Sequence, residues 1–300
     1  MNLHLLRTFA SVAEQRSFSR AAEAIHISQP AVSRAVRELE DQLGMALMER
    51  GGGQVRLTEA GDELFQHARA IFALEQSAMA DLRGRLGLER GSLTIGASRT
   101  IGTYFLPPVI AEFLCQFPAI DVRIISENTE LIQRRLLAYE LDIAFVEGAV
   151  EDARVEQTFW HEDELVILAH SQHPLLDRPT LHARDLDSER WVLREQGSGT
   201  RAVTLAMLEQ AGVNVSRTIE VGGNGALVHS VAAGLGLAMV SSVAAREHLT
   251  VGKVKMLDFP RRFKRSLYRV RLRNKPESPA TQALVSVAER VADTFESGVE

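Results

Sequence analysis

The segment between Ser28 and Gly44 constrains the chain most. Val32, Val36, Leu39 and Leu43 recur at helical spacing and form one apolar stripe. Ser28 is a natural N-cap, Pro30 falls in the first turn where a missing N–H costs nothing, and Gly44 ends the run. The stripe must face inward. The opposite face then carries Gln29, Ser33 and Arg37 at i, i+4 and i+8, with Arg34 beside them. These are donor-rich side chains able to reach base edges and phosphates. Two shorter helical patterns precede it: Leu5, Leu6, Phe9, Val12 and Ala13, then Phe18, Ala21, Ala22 and Ile25, with Ser17 or Ser19 as cap. The break at His26-Ile27 is tight, which predicts a large angle between the second and third helices. That is a helix-turn-helix, whose second member enters the major groove. The plainer alternative is a solvated face of an ordinary helical domain.

The next residues extend the DNA-facing reading. Met48-Glu49-Arg50, the triplet Gly51 to Gly53 and Gln54-Val55-Arg56-Leu57 read as a hairpin or wing, with Arg50 and Arg56 flanking its tip. Either arginine could equally sit in a plain exposed turn. Thr58 is placed to cap a long helix running to about residue 86. Phe65, Phe72, Met79 and Leu86 repeat every seven residues, with Leu64, Ile71 and Ala78 beside them. A heptad stripe on a helix leaving a small domain predicts pairing with a second copy, although Glu75 interrupts it. Packing on its own domain is the alternative.

Composition bounds the class without choosing the function. At 300 residues, two or three folding units are expected. The net charge of −5 does not advertise a nucleic-acid binder, but DNA binding needs only a local basic surface. No apolar run has the length of a membrane span, and the first fifteen residues lack a signal-peptide core, so a cytoplasmic protein without membrane partners is expected. Cys115 is the single cysteine, which rules out an intramolecular disulfide; it lies in an apolar helix and reads as core.

From about residue 91, strand and helix patterns alternate. Strands are expected at 93–97, 121–125 and 142–146, with helices at 105–117 and 131–139. A second unit begins with 164–170 and continues through strands at 191–193, 218–221 and 237–240 and helices at 200–212 and 226–234. A last strand (267–272) and helix (281–295) return to the first unit. The alternation predicts parallel α/β sheets in two lobes, about 91–161 with 267–300, and about 162–266. Residues 87–92 are a plausible hinge.

Ligands of such sheets bind outside the carboxyl ends of the strands. Ser98-Arg99-Thr100 and the run Arg194 to Arg201 both lie between a strand and a helix, one in each lobe. Helix N-termini favour anions, hydroxyls add donors, and glycine lets the backbone approach closely. The candidate contacts are Ser98, Thr100, Arg194, Ser198, Gly199 and Thr200. Asn128, Thr129 and Glu147 stand at two further strand ends. Singly, Ser98, Ser198 and Thr200 read equally well as helix caps. Glu147 opposes a bare anion; it could hold Arg194, or accept from an amine or hydroxyl of the ligand.

Phe18-Ser19-Arg20-Ala21-Ala22, Ser28-Gln29-Pro30-Ala31-Val32-Ser33, Leu39-Glu40, Gly44 and Leu57-Thr58-Glu59-Ala60-Gly61, in this order and spacing, closely resemble the LysR-type transcriptional regulators. One departure is Met48, where the family usually has Phe; Met fills similar space. The resemblance implies an N-terminal all-α winged helix-turn-helix (1–58), a linker helix and hinge (59–90), and an α/β two-lobed periplasmic-binding-protein-like effector domain (91–300). It implies a homodimer or homotetramer that bends promoter DNA, with RNA polymerase as a further partner and no cofactor or metal. Ser98-x-Thr100-Ile101-Gly102, Asn128-Thr129, Val146-Glu147-Gly148 and Arg194-Glu195-x-Gly197-Ser198-Gly199-Thr200-Arg201 narrow it to the branch holding regulators of carbon fixation and of sulfur metabolism. That branch implies a small oxyanion, such as sulfite, or a phosphorylated metabolite as effector.

Two other classes fit less well. An enzyme would need a reactive constellation, yet Gln196-Gly197-Ser198-Gly199-Thr200 lacks the outer glycines of a nucleophile elbow, and no P-loop is present. An architectural DNA-binding protein without specific readout would carry a larger basic excess.

Overall fold

The computed structural model describes residues 2–49, 55–84 and 91–295; for residues 77, 80, 81, 83 and 84 it describes the backbone alone. The chain divides into two compact units, 1–79 and 80–300.

The first unit is built on three short helices, α1 (Leu3–Gln15), α2 (Phe18–Ala24) and α3 (Gln29–Leu43), followed by the long α4 (Glu59–Gly84). Leu6, Phe9, Val12, Val32 and Leu39 are fully buried, as the stripes require. Burying each contributes about 1.5–3 kcal/mol. Ser17 caps α2 by accepting from the Arg20 N–H. Ser28 occupies the N-cap of α3, but its side chain makes no capping bond. The reason is local: Pro30 has no N–H to offer, and the Ala31 N–H donates to the Ser28 carbonyl at 2.9 Å. Gly44 ends the helix with φ of 69°.

A two-strand contact follows. Met48 bridges Leu57 in antiparallel register, and the Glu49 N–H donates to the Arg56 carbonyl. Glu40 fixes its start by accepting from the N–H groups of Leu47 and Met48 at 2.7 and 3.1 Å. Met48 is buried, in keeping with its filling a bulky position. The wing tip, with Arg50 and the glycine triplet, lies outside the described residues. Thr58 caps α4 as expected, accepting from the Gly61 N–H at 3.0 Å.

The expected seven-residue stripe on α4 divides in two. Leu64, Phe65, Ile71 and Phe72 pack on the core of their own unit, whereas Ala78 and Met79 are exposed, as are Leu74 and Leu82 outside the stripe. Glu75, the interruption, pairs with Arg7, whose guanidinium lies 4.3 Å from the centre of the Phe72 ring. Leu86 is outside the described residues.

The second unit begins with β1 (Gly91–Ser98), a π-turn (Ile101–Phe105) and α5 (Leu106–Gln116). Then come β2 (Ile120–Glu127), α6 (Thr129–Leu137) and β3 (Ile143–Glu147). The 16-residue β4 (Val155–His170) leads through α7 (Ala183–Asp187) to β5 (Arg190–Arg194), α8 (Gly199–Gln210) and β6 (Arg217–Val221). The chain continues as α9 (Asn224–Ala232), β7 (Ala238–Ser241), α10 (Ser242–Val251) and β8 (Val254–Met256), and closes with β9 (Phe263–Leu272) and α11 (Pro279–Ala292).

β1 lies parallel between β2 and β3, β3 pairs antiparallel with β9, and β9 runs antiparallel along most of β4. Further along β4, β7 and β8 pair with it. β5 and β6 form a parallel pair tied to this region by the Trp191–Leu237 bridge. Each half has its own core, around Phe105, Phe113 and Phe145 in the first and around Trp191, Leu193 and Leu208 in the second. The two-lobed α/β expectation holds, with two corrections. The sheets are mixed, because β9 enters antiparallel. The second half does not start at a fresh strand near 164, because β4 runs unbroken from Val155, with a bulge between Phe159 and His161. Cys115 is exposed and not core: Leu106, Val109, Ile110 and Phe113 turn the buried face of α5 the other way.

Candidate functional site

On α3, the predicted face is open to solvent. Ser28, Gln29, Pro30, Arg34 and Arg37 are exposed and Ser33 is half-buried, while Val32, Val36 and Leu39 face the core. Gln29 donates to Ser33 at 2.9 Å, which pre-orders the amide along the helix. Arg56 is exposed on the described base of the wing. Gly61 explains itself sterically: a Cβ there would stand 2.1 Å from the Leu47 carbonyl oxygen, so only glycine lets α4 start against the wing strand.

In the second unit, the strand ends of the two lobes converge. Ser98, Thr100, Glu147, Arg194, Ser198 and Thr200 are all buried polar residues. Thr100, just after β1, faces Thr200 in the first turn of α8, with their hydroxyls 3.4 Å apart. Thr200 also accepts from Arg265 Nη1 at 2.9 Å, and Thr100 accepts from Asn224 Nδ2 at 3.1 Å. Gly199 brings the start of α8 against the other lobe, where its N–H donates to Thr129 Oγ1 at 3.2 Å. Asn128 donates to the Gln196 carbonyl at 3.4 Å and also caps α6. Ser98 and Ser198 behave as caps, accepting from Ile101 and Arg201 at 3.4 Å each. Thr100 and Thr200 instead point their hydroxyls across the junction.

Of the two roles open to Glu147, the pairing with Arg194 is not the one formed. Glu147 does not hold Arg194. Arg194 is locked by Glu195, through Nε and Nη2 at 2.7 and 2.9 Å, and by Asn224 at 2.6 Å. Burial alone would raise Glu195, but hydrogen bonds from Arg194 and the charges of Arg194 and Arg99 hold its carboxyl below the usual range. Glu147 meets Arg265 at 3.6 Å, Thr200 at 3.5 Å and Thr129 at 3.2 Å. Arg265 gives its short contacts to Asp163, at 2.8 and 2.7 Å, and Asp163 also accepts from Ser241 at 2.7 Å. Burial pushes the Asp163 carboxyl up, and the charge of Glu147 adds to this against the pull of Arg265 and Ser241.

Arg265, Asp163, Asn224 and Ser241 escaped sequence reasoning. Arg265 and Asp163 sit inside the paired strands β9 and β4, where alternating charges read as a solvated sheet face. Their meeting depends on the antiparallel register Asp163–Arg265, which no local pattern announces. Asn224 lies in a glycine-rich run at the start of α9, where nothing local marks its side chain as a partner of Arg194 and Thr100.

Comparison with known proteins agrees with this geometry. Residues 3–62 match the bacterial regulatory helix-turn-helix model of the lysR family, and residues 86–293 match the LysR substrate binding domain. The chain is 34% identical over 257 residues to the HTH-type transcriptional regulator CysL of Bacillus subtilis, covering 86% of each. It is 36% identical to a RuBisCO operon transcriptional regulator of Allochromatium vinosum, covering 94% of each. Among solved structures, a full-length OxyR variant from Pseudomonas aeruginosa superposes with a TM-score of 0.77 at 25% identity, over 96% of this chain and 94% of that one. The regulatory domain of Synechocystis PCC6803 CcmR in complex with 2-PG gives 0.64 at 27% identity, over 69% and 99%. These are regulators and not enzymes. With an exposed donor face on its third helix and a polar junction between two α/β lobes, the chain belongs to the LysR family of sequence-specific, DNA-binding transcriptional regulators.

Proposed function

We propose that residues 1–58 read promoter DNA, that 59–90 link and pair subunits, and that 91–300 bind a small anionic effector between the two lobes. Gln29, Ser33, Arg34 and Arg37 make the base and phosphate contacts, Ser28 and Pro30 set the start of the recognition helix, and Arg50 and Arg56 contact DNA from the wing. What supports this is the exposure of the α3 face, whose donors are turned away from the buried Val32, Val36 and Leu39. The effector sits among Ser98, Thr100, Asn128, Thr129, Glu147, Arg194, Ser198, Gly199 and Thr200. Support comes from the hydroxyl and guanidinium donors meeting at the α8 N-terminus, and from the similarity to a regulatory domain solved with 2-PG.

The exposed Leu74, Met79 and Leu82 of α4 pair with the same residues of a second copy, and dimers assemble into a tetramer. The protein acts in the cytoplasm alongside RNA polymerase. No described helix is long and apolar enough to cross a membrane. The effector shifts the assembly only by binding one arrangement of lobes better than another.

The test is Arg34→Ala in a gel-shift titration at fixed salt, against promoter DNA selected from a random pool. Affinity falls about 5- to 150-fold, equivalent to about 1–3 kcal/mol, while assembly is unchanged by sedimentation. Unchanged affinity overturns the assignment of the α3 face.

A further inference from the structure

The buried charges at the lobe junction are unevenly paired, and the unevenness carries information about the ligand. Arg194 is matched by Glu195, and Arg265 by Asp163, each through two short contacts. Glu147 is paired more loosely, with Arg265 alone among the described cations and at 3.6 Å. It is 2% exposed, and its contacts to Thr129, Thr200 and Arg265 run from 3.2 to 3.6 Å. An ionised carboxylate is an acceptor with about four lone-pair positions, and burying its charge without close donors is costly. The Asn128–Gln196 and Gly199–Thr129 hydrogen bonds tie the lobes together beside Glu147, and at its 2% exposure bulk water is not at hand to supply those donors. The opposite wall offers Thr100, Thr200 and the first turn of α8, which suit acceptor oxygens.

We infer that the effector is a small anion that carries at least one O–H or N–H of its own and donates it to Glu147. Its charged oxygens lie toward Thr100, Thr200 and the α8 N-terminus. The inference rests on reading the junction as the effector site. The site is then a filter by protonation: an oxyanion that has lost every proton presents only lone pairs to a buried carboxylate and is rejected, whereas one of equal size that keeps a proton is accepted. The chemistry covers an acid phosphate, a phosphate monoester still holding a proton, and a carboxylate bearing a hydroxyl or amine. The filter is a repulsive element built against the wrong ligand as much as an attraction for the right one.

Inorganic phosphate and sulfate separate these cases, because they match in size and shape but only phosphate retains a proton at neutral pH. Each is titrated against the full-length protein by calorimetry at constant ionic strength. Phosphate binds at least about 100-fold more tightly than sulfate, in line with sites built around one substrate hydrogen bond. Arsenate and selenate repeat the contrast without any mutation and give the same order. In Glu147→Gln, whose amide can donate as well as accept, the preference for phosphate collapses and sulfate gains. Equal binding of phosphate and sulfate by the wild-type protein overturns the filter while leaving the anion site standing. Binding of neither anion overturns both.

Discussion

Gly199 offers the sharpest steric test of the lobe junction. It is the first residue of α8, and an added Cβ would lie 2.6 Å from Thr129 Oγ1 and 2.7 Å from the Glu147 carbonyl oxygen. Ordinary contacts start near 3.4 Å, so Gly199→Ala overlaps two atoms of the facing lobe. Thr129 can rotate away, but the carbonyl belongs to the last residue of β3 and cannot. The lobes must part by several tenths of an ångström at this point, stretching the Gly199–Thr129 hydrogen bond and the Thr100–Thr200 contact together. Overpacking of this kind costs about 1–3 kcal/mol. For a domain of this size that lowers Tm by about 2–12 °C. Gly225→Ala is the control. It lies in the first turn of α9, with no atom within 4 Å of the added carbon, and gains helix propensity. Scanning calorimetry of the two full-length variants decides the matter. Tm falls in Gly199→Ala and holds or rises in Gly225→Ala. If both variants match the wild type, the lobes do not meet as described and the geometry of the site is wrong.

Two further outcomes follow from the same reasoning. Gly61→Ala sets its Cβ 2.1 Å from the Leu47 carbonyl oxygen, backbone against backbone, and so destabilises the DNA-binding unit by about 3 kcal/mol or more and removes DNA binding, while the effector-domain transition in calorimetry stays in place. Acidification weakens the effector domain: hydrogen bonds from Arg135 hold Glu127 below its ordinary value, those from Arg154 do the same for Asp152, and Glu195 is lowered as described. These carboxylates contribute stability above their unfolded value of about 4, and it is lost as pH falls through their folded values. Asp163, raised by burial, works in the opposite sense, so Tm falls below about pH 5 with this one carboxylate only partly offsetting those held low. A Tm unchanged between about pH 5 and pH 3 contradicts these pairings.

The DNA-binding unit was almost wholly legible, because its information is local. Helical period, caps and one proline fix α1 to α3, and the family motif lies in a continuous run. Ser28 shows the limit: the type of cap was evident, but its loss of a bonding partner to Pro30 appears only in three dimensions. The effector domain was legible as alternation, and its strand-end loops pointed to Thr100 and Thr200, whose hydroxyls stand 3.4 Å apart, because strand-to-helix turns carry their own signal. What failed was pairing across long separations. Thr200 meets an arginine 65 positions away, and Asp163 meets one 102 positions away. The run Val155 to Glu164 hid the start of β4 because charged residues interrupt its apolar alternation. Without that strand, Arg265 had no partner, and Arg194 was the one arginine weighed for Glu147.

A small anion bound between the lobes is proposed to control this regulator, and a thermal-shift titration of the full-length protein tests for it. The panel holds 2-PG, inorganic phosphate, sulfite, sulfate and phosphorylated sugars, with uncharged sugars as the counterpart. A ligand at one hundred times its Kd stabilises by about 2.7 kcal/mol. The account predicts that at least one anion raises the effector-domain transition by several degrees, and that Thr200→Val, which removes the hydroxyl bonded to Arg265, abolishes the shift while Thr200→Ser keeps it. A shift produced only by uncharged compounds, or one that survives intact in Thr200→Val, contradicts it.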